Sequence, residues 1–338
     1  MVMKTEILPC DEGGISAAAE LLKKGEVVAI PTETVYGLAA DATNENAVAK
    51  IFIAKGRPQD NPLIVHISEV EDIKKYAQNI PDVAYKLAEK FWPGPLTMVL
   101  PKKDTIPMET SGGLDTVGIR LPSDITARRI IKAAGVALAA PSANLSGSPS
   151  PTSAQHVFDD MNGRIPLIVD EGCCTVGVES TVVSFDGEGV RILRPGYVTC
   201  EDLLTVTENV LIDKGVTAEL DAGAVAASPG MKYKHYSPKA DIILVEGDLV
   251  DFMEYVGENY GDGVYAMIFN SDAKDFMYRY VTYGDNDKEN AAEVFDRLRE
   301  VDEIGAKKVY VRCPSKNGVG LAVYNRLLRA AGFEVIKL

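Results

Sequence analysis

Short apolar runs alternate with stretches of helical spacing along most of the first 200 residues, which argues against both an all-helical and an all-β chain. The runs "EVVAIP", "PLIVHI", "LTMVLP", "VGIRLP", "VALAAPS" and "PLIVDEG" read as buried strands, because a strand covered on both faces is apolar throughout instead of at every second residue. Between them, "ISAAAELLKKG", "NENAVAKIFIAKG", "PDVAYKLAEKF", "DITARRIIKAAG" and "TSAQHVFDDM" carry apolar residues at the helical period. Asn44 stands as the N-cap of the second of these helices and Gly56 just past its end. The strands "STVVSFDG" and "VRILRPG" then meet through "DGEG" as a hairpin. A hairpin among strands otherwise separated by helices predicts an α/β domain with a mixed sheet.

After a helix-like piece, "EDLLTVTENVLI", the composition changes to "DKGVTAELDAGAVAASPGMKYKHYSPKA", with small residues, prolines and no sustained period. This reads as a linker between domains. Beyond it, "DIILVEG", "VYAMIFN", "KVYVRCP" and "FEVIKL" are strands separated by helical runs, the pattern of a parallel, doubly wound sheet. The expected organisation is a first domain over residues 1–203, a linker or lid over 204–239, and a smaller α/β domain over 240–338. A chain of 338 residues that is 46% hydrophobic has enough apolar surface for two cores.

No run approaches the roughly 20 apolar residues a membrane span needs. The start, "MVMKTEILPC", carries no signal core, so a cytoplasmic location is expected. The five cysteines have no CxxC spacing and the three histidines are not helically paired, which fits a reduced compartment and opposes a structural zinc site. A net charge of −14 opposes strong general binding to nucleic acid or to an anionic membrane. Any basic cluster is therefore local.

One such cluster is "AKGRPQDNPLIVH", where Lys55 and Arg57 end a helix, Pro58 and Pro62 stiffen the loop, and Asn61 and His66 follow. Cations at a helix C-terminus already gain a few tenths of a kcal/mol from its dipole. The prolines cut the entropy of aiming both cations one way, which brings a phosphate ligand into competition with that simpler reading. "APSANLSGSPS" at the end of an apolar strand is either a turn or a close-approach loop for phosphate or ribose. Arg120 and Arg194 interrupt apolar strands and need an anionic ligand, a carboxylate partner or a dense set of acceptors. Thr32 and Thr34 are either ordinary β-branched strand residues or polar groups at a strand edge. Lys232, Lys234, His235 and Tyr236 in "SPGMKYKHYSP" suit a lid over a nucleotide, a solvated linker or a contact with single-stranded RNA. No GxxxxGK[ST], GxSxG, HExxH or strand-following GxGxxG occurs, and "NGVGLAVYNR" reads as a helix entry.

Taken together, Lys55-x-Arg57, Ser142-x-Asn144, "PTETVYGL" and "KGRPxxNPLIVH" closely resemble the YrdC family of threonylcarbamoyl-AMP synthases, over roughly residues 10–200. The appended domain resembles the longer, two-domain form of that family. The resemblance implies an α/β fold with a twisted mixed sheet of YrdC type and a smaller Rossmann-like parallel domain. It implies that L-threonine, bicarbonate and ATP, with Mg²⁺, give threonylcarbamoyl-AMP and pyrophosphate. The threonylcarbamoyl group then goes to an adenosine beside the anticodon of tRNA through a separate transfer complex. By the same resemblance L-threonine lies near Thr34, His66, Arg120, Ala140 and Ser180. ATP lies near Lys55, Arg57, Asn61, Thr116, Ser142, Asn144, Ser150, Arg194 and Tyr236. Lys55 and Arg57 are then the catalytic cations, stabilising charge that moves onto pyrophosphate, and no metal ligand is indicated.

Two other readings compete. A non-enzymatic RNA-binding regulator would grip RNA with the basic linker. A carbamoyl transferase of the hydrogenase-maturation type would carry an acylphosphatase-like module and zinc-type cysteine motifs, and neither is visible.

Overall fold

The computed structural model describes residues 3–59, 61–187, 189–218 and 235–338. The first unit carries strands β1 (Glu6–Pro9), β2 (Val28–Ile30), β3 (Gly37–Asp41), β4 (Ile64–His66), β5 (Leu96–Pro101), β6 (Thr116–Arg120), β7 (Leu138–Ala139), β8 (Leu167–Asp170), β9 (Thr181–Asp186), β10 (Gly189–Arg194) and β11 (Val210–Ile212). Its helices are α1 (Glu12–Lys23), α2 (Glu45–Lys55), α3 (Ile73–Tyr76), α4 (Asp82–Phe91), α5 (Met108–Ser111), α6 (Ile125–Ala134), α7 (Ala154–Met161) and α8 (Cys200–Leu204). Among the described residues these strands form one sheet in the order β1-β8-β2-β3-β7-β4-β6-β5-β9-β10-β11. The mixed character expected from the hairpin is present: β9 and β10 are antiparallel, whereas β4 and β6, β5 and β9, and β1 and β8 are parallel.

Helices cover both faces, and this is why the strands are apolar throughout. On one side α1 and α6 bury Ile15, Leu22, Ile130 and Ile131 against Val28, Ile30 and Leu138. On the other, α2, α4 and α7 bury Ile51, Phe52, Leu87 and Val157 against Leu38, Val65, Met98 and Ile119. Capping follows the sequence: Asn44 Oδ1 accepts from the Asn46 and Ala47 N–H groups at the start of α2, and Gly56 closes its end at φ 63°, a left-handed conformation that suits glycine.

The second unit carries β12 (Asp241–Glu246), α9 (Leu249–Glu258), β13 (Val264–Ile268), β14 (Tyr280–Thr282), α10 (Asp287–Glu303), β15 (Lys308–Arg312), α11 (Gly320–Ala330) and β16 (Val335–Lys337). Its sheet, β14-β13-β15-β12-β16, is parallel throughout. The apolar face beneath α10 and α11 also takes in Val35, Val178 and Tyr236, so part of the first unit is packed into the second unit's core.

Three differences from the sequence expectation have physical causes. β3 carries no strand signal because its buried run, "GLAAD", is made mostly of small residues, and β14 carries none because it spans only Tyr280–Thr282. "EDLLTVTENVLI" is helical only over Cys200–Leu204, and its "VLI" is the edge strand β11, parallel to β10. The stretch placed in a linker from residue 204 therefore still completes the first sheet. Residues 219–234 of that expected linker, with Lys232 and Lys234, lie outside the described residues.

Candidate active site

Strand register assembles the site. In the parallel pair of β4 and β6, His66 lies directly opposite Arg120. Beside them the Ala140 N–H donates to the Ile64 carbonyl at 3.0 Å, and Gly37 bridges to Ser142 across the β3 side. The turn between β2 and β3 brings Thr34 over the same end, where its Oγ1 accepts from Arg120 Nη1 at 2.9 Å. Thr34 Oγ1 also lies 2.9 Å from Thr32 Oγ1, and Thr32 donates to the Val35 carbonyl. The threonine pair thus organises the turn and does more than fill strand positions.

Arg120 is only 4% exposed, and its Nη2 lies 2.8 Å from Glu33 Oε2. Burial pushes the Glu33 carboxyl up, and the Arg120 guanidinium with the Ser123 N–H more than reverses this, leaving it below the ordinary carboxylate range. The carboxylate partner that Arg120 needed is therefore Glu33, two residues into "TETVYGL", which the sequence reading quoted and did not assign. His66 is buried, its Nδ1 3.2 Å from the Ile64 carbonyl. Burial and then the charge of Arg120 lower its pKa to about 3, so the imidazole is neutral.

The other end of the cleft is built by α2, the 140–150 loop and the hairpin. α2 ends in Lys55, and the left-handed Gly56 turns the chain so that Arg57 follows at the cleft. Although it ends a helix, Lys55 is only 3% exposed. Its Nζ donates to the Ser142 carbonyl at 2.5 Å, the Asn144 carbonyl at 2.7 Å and Asn144 Oδ1 at 3.3 Å. Burial and then the nearby charge of Arg57 push its pKa well down. Asn144 in turn donates to the Leu145 and Ser148 carbonyls and accepts from Ser142 Oγ at 2.5 Å, so Ser142-x-Asn144 is the brace of this loop.

Arg194 sits at a register shift in β10 between Ile192 and Arg194, a local irregularity of the kind that re-aims a side chain. Its Nε donates to the Ser180 carbonyl at 3.1 Å and its Nη2 to Ser180 Oγ at 3.2 Å. Ser180 Oγ also lies 2.8 Å from Thr97 Oγ1. Gly196 is required here, since a Cβ on it would stand 2.3 Å from the Thr181 nitrogen. Buried Glu179 completes this wall: its Oε1 accepts from Ser150 Oγ at 2.5 Å and its Oε2 from Arg326 Nε at 2.9 Å. Neither Glu179 nor Arg326 was singled out from sequence. A carboxylate in the apolar stretch "VGVESTVV" was the available signal.

His235 and Tyr236 line the cleft from the segment that enters the second unit. Tyr236, at φ 63°, is buried against Phe295 with ring centroids 5.1 Å apart. The Ser237 N–H donates to the Gly147 carbonyl, and its hydroxyl donates to the Ala330 carbonyl. His235 is held neutral, its pKa lowered to about 3 by burial and then by the charges of Arg57, Arg329 and Lys55.

Most of these groups line one cleft, Thr32, Glu179 and His235 among them. Of the expected site residues, Thr34, His66, Arg120, Ala140, Ser180, Lys55, Arg57, Ser142, Asn144, Arg194 and Tyr236 line it. Asn61, Thr116 and Ser150 do not. Ser150 stands behind Glu179, and Asn61 is buried with no hydrogen-bond partner for its Oδ1 among the described residues. Thr116 lines a smaller neighbouring cavity that shares Leu63 and Ile64 with the cleft. Lys55, Arg120 and Arg194 are too buried to track an RNA backbone, so among the described residues the basic cluster suits a small anionic ligand. No described helix is long and apolar enough to cross a membrane.

Comparison with known proteins covers both units of the chain. The Sua5/YciO/YrdC family model, described as "Telomere recombination", matches residues 20–196, and the model described as "Threonylcarbamoyl-AMP synthase, C-terminal domain" matches residues 198–332. A threonylcarbamoyl-AMP synthase of Pyrococcus abyssi is 43% identical over 335 residues, covering 97% of each chain. One of Bacillus subtilis is 42% identical over 339 residues, covering 98% of this chain and 97% of its own. The crystal structure of P. abyssi Sua5 complexed with L-threonine superposes at a TM-score of 0.91 and 40% identity, covering 100% of both chains.

Proposed function

The chain belongs to the Sua5/YciO/YrdC family of threonylcarbamoyl-AMP synthases, nucleotidyltransferase-type enzymes serving threonylcarbamoyladenosine modification of tRNA, and we propose that its cleft joins L-threonine, bicarbonate and ATP. The observation that carries this assignment is the convergence of a carboxylate-binding arginine and a cluster of cations on one cleft. The complex of P. abyssi Sua5 with L-threonine supports the amino-acid half.

L-Threonine takes the end formed by Thr34, His66, Arg120, Ala140 and Ser180. Arg120 pairs with the α-carboxylate, a bidentate partner for its planar fork, while Glu33 and Thr34 hold the guanidinium in place. Neutral His66 and Ser180 offer hydrogen bonds to the amino and hydroxyl groups without adding charge. The substrate amine adds to CO₂ with release of a proton, or to bicarbonate with loss of water, to give a carbamate, whose oxygen attacks the α-phosphorus of ATP. The bond from that phosphorus to the bridging oxygen breaks, and pyrophosphate leaves with the electron pair. No side-chain nucleophile is needed, and the cleft contributes by holding the reactants in line and stabilising charge on the leaving group.

ATP takes the other end, with Arg57, Arg194, Ser142, Asn144 and Tyr236 around it and Asn61, Thr116 and Ser150 behind or beside it. Lys55 has all three donors engaged by the 142–144 loop, so it holds the phosphate-facing loop and turns a donor to phosphate as ATP enters. Mg²⁺ arrives with the polyphosphate: no group of three or more His, Cys, Asp or Glu among the described residues could hold a metal, and Glu33 and Glu179 are each committed to a buried arginine. The described residues thus offer no protein cage for the ion. Residues 1–203 carry most of the chemistry, 204–239 include the covering residues His235–Ser237, and 240–338 brace them. Covering the cleft keeps water from the mixed anhydride, which passes to the complex that transfers the group to tRNA.

Mass spectrometry of a rapidly quenched reaction with ATP, Mg²⁺, bicarbonate and L-threonine tests the assignment. A threonylcarbamoyl-AMP peak that vanishes when either threonine or bicarbonate is omitted is the expected result. Absence of that peak together with absence of pyrophosphate release contradicts it.

A further inference from the structure

The second unit sends one charged side chain into the wall of the cleft. Arg326, midway along α11, is wholly buried. Besides its bond to Glu179 Oε2, its Nη2 donates to the Glu179 carbonyl at 3.2 Å and its Nη1 to the Pro195 carbonyl at 2.6 Å. Its guanidinium carbon lies 5.9 Å from the Tyr236 ring centroid. One guanidinium therefore touches the residue before Ser180, the residue after Arg194 and an aromatic ring lining the cleft, while the other oxygen of its carboxylate partner fixes Ser150.

A buried ion pair of this kind adds little net stability over an apolar pair of the same shape. What it fixes is position. Glu179 also feels the charge of Arg194, so without Arg326 the carboxylate would draw Arg194 away from Ser180. The same helix holds the chain elsewhere near the cleft: Asn325 Nδ2 donates to the Val216 carbonyl, Arg329 Nη2 to the Gly215 carbonyl, and the Ala330 carbonyl accepts from Ser237.

We infer that Arg326 is a positioning residue for ATP, supplied by the second unit: it binds Glu179 so that Ser150, Arg194 and Tyr236 stand ready for the nucleotide. This rests on the assignment of that end of the cleft to ATP. It gives the second unit a defined part in the reaction.

The test compares Arg326→Met, Arg326→Lys and the double variant Arg326→Met with Glu179→Gln against the wild type. KM is measured separately for ATP and L-threonine, ATP affinity by calorimetry, and folding by urea titration. Arg326→Met should raise KM and Kd for ATP about tenfold, the scale of one charged hydrogen bond, and change KM for threonine by less than about twofold. The double variant should recover most of the ATP affinity, because a glutamine still accepts from Ser150 and does not compete for Arg194 as an anion. Equal rises in both KM values, or unchanged KM values with only a smaller active fraction, overturn the inference. Should Arg326→Met fail to fold, the double variant and Arg326→Lys decide: Arg326→Lys is expected to weaken ATP part of the way, and both binding ATP like wild type overturns it. A wild type that binds no ATP contradicts the assignment of the cleft instead.

Discussion

Lys55 Nζ lies 2.7 Å from the Asn144 carbonyl oxygen and 3.3 Å from Asn144 Oδ1, tying the last residue of α2 to the middle of the 140–150 loop. With the Ser142 carbonyl as third acceptor, the ammonium is a structural pin as well as a cation.

Lys55→Met should therefore lower turnover and also destabilise the fold. It leaves buried carbonyls without a donor, at a cost of about 1–3 kcal/mol. Urea titration beside an activity assay checks both. Lost turnover at unchanged stability would mean the pin contributes nothing to folding.

Arg120→Met strands the Glu33 carboxylate in the interior, a change worth about 3–5 kcal/mol of stability. Glu33 loses the partner that holds its pKa down and keeps the burial that raises it. The stability deficit relative to wild type should therefore shrink as pH falls and Glu33 takes up a proton. Denaturation at several pH values shows whether the gap narrows on acidification, and a gap independent of pH would contradict the pairing.

His66 has a folded-state pKa of about 3 against an ordinary 6.5. The unfolded chain binds a proton that the folded chain refuses, so this contribution is complete above the unfolded pKa and is lost as pH falls toward the folded one. Its slope approaches about 1.4 kcal/mol per pH unit inside that window. His235, also lowered to about 3, acts in the same direction. His66→Asn should make the stability curve shallower between pH 6.5 and 4.5 by nearly one proton, as measured by urea midpoints at constant ionic strength. Identical slopes in variant and wild type would show that His66 is not held neutral.

L-Serine should be accepted at a measurable rate. It differs from threonine by one methyl, worth about 1–3 kcal/mol in an apolar contact. L-Valine, which lacks the hydroxyl, should be rejected more strictly. Competition among the three amino acids, read by product mass, checks the order, and valine entering more readily than serine would contradict a hydroxyl-reading site.

Sequence made the scaffold legible where local physics decides it. Asn44 and Gly56 bounded α2, the fully apolar runs marked strands covered on both faces, and "DGEG" marked the β9–β10 hairpin. It did not show β11, because "VLI" follows a helix with no turn chemistry strong enough to separate them. In the cleft, the motif residues were legible as types, and the tertiary fold supplied what they bind. Whether Arg120 met a carboxylate or a ligand depended on the turn that folds Glu33 back over β6. Arg326 was invisible because its partner is 147 positions away in the other unit.

The most direct measurement is calorimetric binding of L-threonine alone and of ATP alone to the wild type, to Arg120→Met and to Arg57→Ala, well below each variant's unfolding midpoint. A cleft with threonine at the Arg120 end and phosphate at the Arg57 end predicts that Arg120→Met loses threonine and keeps ATP, while Arg57→Ala does the reverse. Parallel losses of both ligands in both variants, or no loss in either, would contradict it.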